Sequence, residues 1–131
     1  MKDKKVRVDC FDPWFNDLLD ISLDSIPIFR SKGLQAHMMK QKHFKAVDYI
    51  DRIPDIISVP DYIGMKRNND GITIEFIKCF KDNIILCAKL SADERSMYVA
   101  TMFDIPQKKI DRFLHSGRIK EVLTQPEEDG I

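Results

Sequence analysis

Net charge is the first thing this chain lacks. Its 21 Lys and Arg residues are matched by 21 Asp and Glu among 131 residues. No whole-molecule field therefore draws it to a polyanion, and any such binding has to come from a local patch. Cysteine is scarce and unpaired by spacing, since Cys10, Cys79 and Cys87 form no CxxC or CxxH element. An odd count without a secretion signal suits reduced thiols in a cytoplasm. The start MKDKKVRVDCF is basic, but no apolar signal-peptide core follows it. The apolar runs fall far short of the roughly 20 residues that a membrane helix needs, so no membrane partner is expected. Repeats, low-complexity tracts and a ladder of stacking aromatics are absent as well.

What is present reads as an ordinary folded domain. The chain is 44% hydrophobic and 32% charged. It is long enough to bury roughly two-thirds of its unfolded surface. A single domain over 1–131 is expected, with its core over about 33–123. Residues 1–32 then form an N-terminal extension, and the acidic end over 124–131 a loose tail.

Acid is missing from one window in particular. Ser25–Val47 holds Arg30, Lys32, Lys40, Lys42 and Lys45 with no Asp or Glu, and includes His37 and His43. In a balanced chain, that stretch is fitted to meet an anion. If Leu34 to Ile50 were one helix, His37, Lys40 and His43 would step by about 60° along the flank that Phe44 and Val47 also occupy. One stripe cannot serve both core and solvent. Either the histidines rim a pocket or the helix breaks near Gln41-Lys42, and the break is the better reading. A second helix over about 43–51 then buries Phe44, Val47 and Ile50, and a short one follows Pro54 until Val59-Pro60 ends it.

Elsewhere, KVRVDC (5–10) alternates weakly as a strand, and Asp12-Pro13 starts a helix over about 12–20. Ile26 and Ile28 alternate as an edge strand would, with Pro27 fitting an edge. Past the turn RNNDG the period becomes two, and ITIEFIKCF (72–80), IILCAKL (84–90) and MYVATMF (97–103) read as three strands. The short links KDN and SADERS make them an antiparallel meander. Pro106, Ile110, Phe113, Leu114 and Gly117 mark a short helix, and RIKEVL (118–123) a fourth strand. The fold class expected is α+β, with N-terminal helices packed on one face of a three- to four-stranded antiparallel meander.

Alternation also sorts the faces. Ile72, Ile74, Phe76, Phe80, Leu86, Ala88, Leu90, Tyr98, Ala100 and Met102 form the core side. A first turn centred on Asn83 sets Cys79 opposite Cys87, and a second centred on Glu94 sets Thr101 opposite Cys87. The exposed face then carries Glu75, Lys89 and Thr101, with Val99 and Phe103 alongside, while Lys78 falls on the apolar side and snorkels to solvent.

These residue types suit phosphodiester chemistry without a metal. Histidine or glutamate moves protons, and lysine, arginine or a hydroxyl stabilises a pentacoordinate phosphate. The set is His37 or His43 as acid or base, Lys40, Lys89 and Thr101, with Glu75 in reserve; Glu75 also suits a cross-strand ion pair. A second basic cluster of Lys108, Lys109, Arg112, His115, Arg118 and Lys120 suits a nucleic-acid backbone, or a solvated helix face. His37 and His43, six apart with no acid nearby, match no zinc pattern, so neither metal nor cofactor is expected. Cys87 near a histidine keeps a nucleophilic thiol open.

Taken in order, HMMKQKH, IPDIISVPDYIG, ITIEFIK, DNIILCAKL, MYVATMF and SGRIK resemble the phage-associated Barnase–EndoU–colicin–RelE-like nucleases over about Gly33–Lys120. The resemblance implies a compact α+β fold with metal-independent endoribonuclease activity of the kind found in toxins and mobile elements. It implies a His-Lys element at His37, Lys40 and His43, and a strand threonine at Thr101. It also implies the Glu and Lys of the first strand at Glu75 and Lys78, and a Ser-Gly-Arg element at Ser116, Gly117 and Arg118. RNA contacts are expected from Lys42, Lys78, Lys109, Arg112, Ser116 and Arg118, with tRNA or mRNA as partner and an antitoxin or immunity protein beside it. The rivals are a catalytically silent RNA- or protein-binding module on the same fold, such as an immunity or regulatory partner in a toxin system, and a structural or interaction protein of a phage or mobile element.

Overall fold

The computed structural model describes residues 5–123, so the acidic tail lies outside the described residues. Seven strands form one mixed sheet in the order β1-β2-β6-β5-β4-β3-β7. They are β1 (Lys5–Cys10), β2 (Pro27–Ser31), β3 (Tyr62–Asn68), β4 (Gly71–Cys79), β5 (Asn83–Leu90), β6 (Met97–Asp104) and β7 (Ile119–Glu121). The helices are α1 (Asn16–Leu19, after a 3-10 turn at Pro13–Phe15), α2 (Leu34–Lys40), α3 (Phe44–Val47), α4 (Ile53–Ser58, after a 3-10 turn at Ile50–Arg52) and α5 (Gln107–Ser116). Among the described residues, no helix is long and apolar enough to cross a membrane.

The α+β class holds, but the sheet is larger than the expected meander. β4, β5 and β6 are its centre, and β3 extends it through the two-residue turn Asn69-Asp70. Sequence reading missed β3 because its apolar half is buried on successive residues, Ile63 and Gly64, and its other half is wholly polar. β7 does not continue the meander; it pairs with the outer side of β3. β2 is no edge strand either, because it lies between β1 and a parallel β6, with Pro27 at its first position. The parallel pair joins segments far apart in sequence, which local periodicity cannot reveal.

The helix break is found at the expected place. Lys42 takes a left-handed conformation (φ 64°). The Lys42 amide then donates to Met39 O and the His43 amide to Met38 O, the paired bonds of a Schellman turn. The helix after it is shorter than expected. It buries Ala46 and leaves Phe44 exposed, because the restart rotates the apolar stripe.

Apolar packing covers both faces rather than one. On the first, Phe11, Phe15, Ile53, Ile56 and Ile57 pack on Ile74, Phe76, Leu86 and Met102. On the second, Ile110 and Phe113 of α5 press on Ile77, Ile85 and Ile119. Two register details correct the expected faces. The β4–β5 hairpin pairs Cys79 with Asn83, so Glu75, and not Cys79, stands opposite Cys87. Cys87 does pair with Thr101, but a bulge follows, and Ala88 pairs with Val99. The extra residue turns Val99 into the core and Tyr98 out onto the Glu75 side, reversing the assignment of both.

One backbone approach fixes the β3–β7 edge. A Cβ on Gly64 would meet Arg118 O at 2.6 Å and Ile119 Cγ2 at 2.8 Å. Gly64→Ala is therefore expected to cost about 1–3 kcal/mol through overpacking. Chemical denaturation of the variant beside wild type measures it, and an unchanged midpoint would refute this account of the edge.

Candidate active site

Register divides the second face of the sheet into three rows. Tyr62, Ile77, Ile85 and Phe103 pair across four strands and lie against α5. Beside them run Gly64, Glu75, Cys87 and Thr101. The next row contains Lys66, Thr73, Lys89 and Tyr98, beyond the cover of α5. The middle row thus lies where the covered half of the face meets its open half.

Each end of that row is closed by a residue delivered from a helix terminus. At the β6 end, His43 follows the left-handed Lys42. Its Nδ1 lies 3.4 Å from Thr101 Oγ1, which also donates to Gln41 Oε1 at 3.4 Å. The imidazole packs against Phe103 with ring centroids 5.3 Å apart. At the β3 end, Gly117 (φ 82°) ends α5 in a second Schellman turn, whose Arg118 amide donates to Phe113 O at 2.9 Å. That turn folds the Arg118 guanidinium over the Phe113 ring, 3.9 Å from its centroid. From there it makes a bidentate pair with Glu75, at 3.2 Å to Oε1 and 2.7 Å to Oε2.

Glu75 was expected on an exposed face, yet it is 2% exposed. The α5 helix and Arg118 enclose it, and both of its oxygens are occupied. A carboxylate so held orients its partner; it is not free to take a proton from a ligand. Cys87, between Glu75 and Thr101, has its thiol pushed up to about 12, chiefly by burial and then by the Glu75 charge; Lys66 and Arg118 pull weakly the other way. It is a protonated filler near neutral pH, which removes the support for a nucleophilic thiol.

The remaining expected residues divide by position. Lys89 stands in the open row, one step from Cys87 along the Glu75 side. Lys40 and Lys42 are exposed at the α2–α3 corner, just ahead of His43 in the chain. His37 is exposed on α2 and lines a cleft with Tyr98, Val99 and Ala100, one that Thr101 does not line. Lys109 and Arg112 lie on α5 with Lys109 over the Phe113 ring, and Ser116 Oγ donates back to Phe113 O. Lys78 is not brought to this site. It lies on the other face, where its Nζ donates to Val59 O at 2.8 Å. Sequence reading missed Lys66, whose strand was not recognised; the run YIGMKR, apolar and then basic, ahead of the NNDG turn was the available signal.

With this geometry in view, comparison with known proteins places the chain. Residues 11–112 match the family model of the phage-Barnase-EndoU-ColicinE5/D-RelE like nuclease3. The chain belongs to that family. The match takes in residues 11–32, beyond the Gly33 limit of the resemblance, and ends at Arg112. Over 83 residues, 63% of the chain, it is 26% identical to a "Zinc phosphodiesterase ELAC protein 2 homolog" of Caenorhabditis elegans. The chain spans only about a tenth of that protein, since the match covers 10% of it. No solved structure matches.

Two measurements check the row. Arg118→Ala leaves a buried carboxylate unpaired and is expected to cost roughly 2–4 kcal/mol. That is less than a fully enclosed pair, because the Arg118 side chain keeps 33% exposure. In a double-mutant cycle, Glu75→Gln with Arg118→Ala should recover part of the loss, and strict additivity would contradict the coupling. The Cys87 thiol should resist iodoacetamide at pH 8 and gain reactivity only as pH climbs towards 12. Rapid labelling at pH 8, followed by peptide mass spectrometry, would show a thiolate instead.

Proposed function

We propose that this nuclease is a metal-independent endoribonuclease that cleaves RNA by attack of a 2′-OH on the adjacent phosphate. The observation that carries the reading is the His43–Thr101 contact at one end of a polar row whose other end presents Arg118. His43 takes the 2′-OH proton, and Thr101 orients the scissile phosphate. Lys66, Lys89 and Arg118 oppose the charge that develops on the phosphorane, with Glu75 holding Arg118 in place. The leaving 5′-oxygen receives its proton from His37 or Lys40, the other proton carriers on the α2–α3 wall. The products are a 2′,3′-cyclic phosphate and a 5′-hydroxyl.

Metal independence is part of the proposal: the proton-transfer and charge-stabilising roles above are all assigned to side chains of this protein. On this reading the protein is a toxin of a phage or mobile element, acting in a cytoplasm on tRNA or mRNA with an antitoxin or immunity protein as partner; the family supports the phage association.

Purified protein incubated with total tRNA and with mRNA in EDTA tests the reaction. Cleavage is expected to persist in the chelator and to leave cyclic phosphate ends. His43→Ala should lower the rate by about 10²–10⁴-fold, the usual share of general acid–base catalysis. Blocking the nucleophile with 2′-O-methyl substitution should abolish cutting. Loss of activity in EDTA, or an active His43→Ala enzyme, would overturn the mechanism; intact RNA throughout would leave a binding module.

A further inference from the structure

The open row of the second face extends beyond the four central strands. Lys66 pairs with Thr73, Thr73 with Lys89, and Lys89 with Tyr98. Tyr98 then pairs with Phe29 of β2, and Phe29 with Arg7 of β1. Six strands thus line up Lys66, Thr73, Lys89, Tyr98, Phe29 and Arg7 side by side, with no acid in the row. At about 4.8 Å between neighbouring strands, the five steps span roughly 24 Å. The row runs beside the Glu75–Cys87–Thr101 row.

Its chemistry alternates in a useful way. Cations stand at both ends and in the middle, and the two aromatics are neighbours. Tyr98 is 46% exposed, an unusual setting for a large ring in a strand next to the sheet centre. The bulge put it there, since the simple alternation of β6 would have buried it. Phe29 is half-buried under Lys5, whose Nζ lies 5.1 Å from the ring centroid. Arg7 is exposed, and its guanidinium donates to Cys10 Sγ at 2.8 Å. A cleft of about 300 Å³, lined by His37, Tyr98 and Ala100 among others, opens beside this ring.

We propose that this row is a track for single-stranded RNA, in which Tyr98 stacks on an unpaired base and Lys66, Lys89 and Arg7 bind the flanking phosphates. The inference rests on the endoribonuclease reading for the polymer's identity and deepens it by naming the strand state of the substrate. Aromatic faces accept any unpaired base, while a base in a duplex keeps its faces for its neighbours. The track also gives β1 a binding role, carried by Arg7, while Phe29 of β2 links Arg7 to Tyr98 in the row.

Binding of 2′-O-methyl RNA tests the track apart from cleavage, because the blocked sugar cannot react. A short single-stranded oligonucleotide and the same sequence in a duplex are titrated by fluorescence anisotropy. The single strand should bind at least about tenfold more tightly than the duplex. Tyr98→Ala should weaken single-strand binding by about 5- to 150-fold, and Tyr98→Phe should stay close to wild type, since the ring and not the hydroxyl stacks. Lys89→Ala and Arg7→Ala should each lower the salt slope of log K by about 0.7, one single-strand phosphate contact apiece. Equal affinity for duplex, or wild-type binding by Tyr98→Ala with an unchanged melting temperature, would overturn the track. Tight Tyr98-dependent binding without cleavage of unmodified RNA sinks the nuclease mechanism and keeps the track. Cleavage with no Tyr98 dependence does the reverse.

Discussion

A carboxylate taken out of water has to be paired, and the pairing of Glu75 with Arg118 organises the site side of this protein. Glu75 is on the central meander, and Arg118 joins α5 to β7. The pair therefore ties the last helix and the last strand to the middle of the sheet. It also accounts for the conformations nearby. Gly117 is left-handed so that the chain turns back, and Gly64 has no side chain so that the Arg118 carbonyl can approach β3. Phe113 lies under the guanidinium and limits its motion. A buried pair is a weak source of net stability, since desolvation offsets much of the attraction. Its value lies in fixing where one cation stands.

The same device appears at both ends of the polar row. His43 and Arg118 each follow a left-handed residue that closes a helix by a Schellman turn. Such a turn reverses the chain with two backbone hydrogen bonds, so the next side chain is placed by the helix and not by a free loop. At one end the left-handed residue is glycine. At the other it is Lys42, which accepts a conformation costing roughly 1–2 kcal/mol for a residue with a Cβ. In exchange, a cation stands directly before the histidine.

Legibility in the sequence followed the range of the physics involved. Local periodicity revealed β4, β5 and β6, and the conflict between Phe44 and the His37–His43 flank located the helix break correctly. Glu75, Cys87 and Thr101 fell on one face because a hairpin centre wrong by two residues shifts register by an even number. The β6 bulge was invisible, because nothing in MYVATMF announces one extra residue, and so Tyr98 and Val99 exchanged sides. The parallel β2–β6 contact, the addition of β7 to β3 and the cover supplied by α5 depend on segments far apart in the chain. Burial of Glu75 could not be foreseen without them, and Lys66 went unseen with its strand.

The balanced charge of the chain takes on a different meaning once the rows are known. A protein with no net charge has no monopole attraction for a polyanion, so any hold on one depends on where its cations are fixed. On the second face, register places Lys66 and Lys89 one step from the polar row, and Arg118 at its end. The only carboxylate in these two rows is Glu75, and Arg118 neutralises it. A local excess of positive charge is thereby maintained without any excess overall. The acid-free Ser25–Val47 stretch is one wall of that arrangement. His43 closes the row, exposed lysines flank that histidine in the chain, and the strand at the start of the stretch carries Phe29 into the neighbouring row.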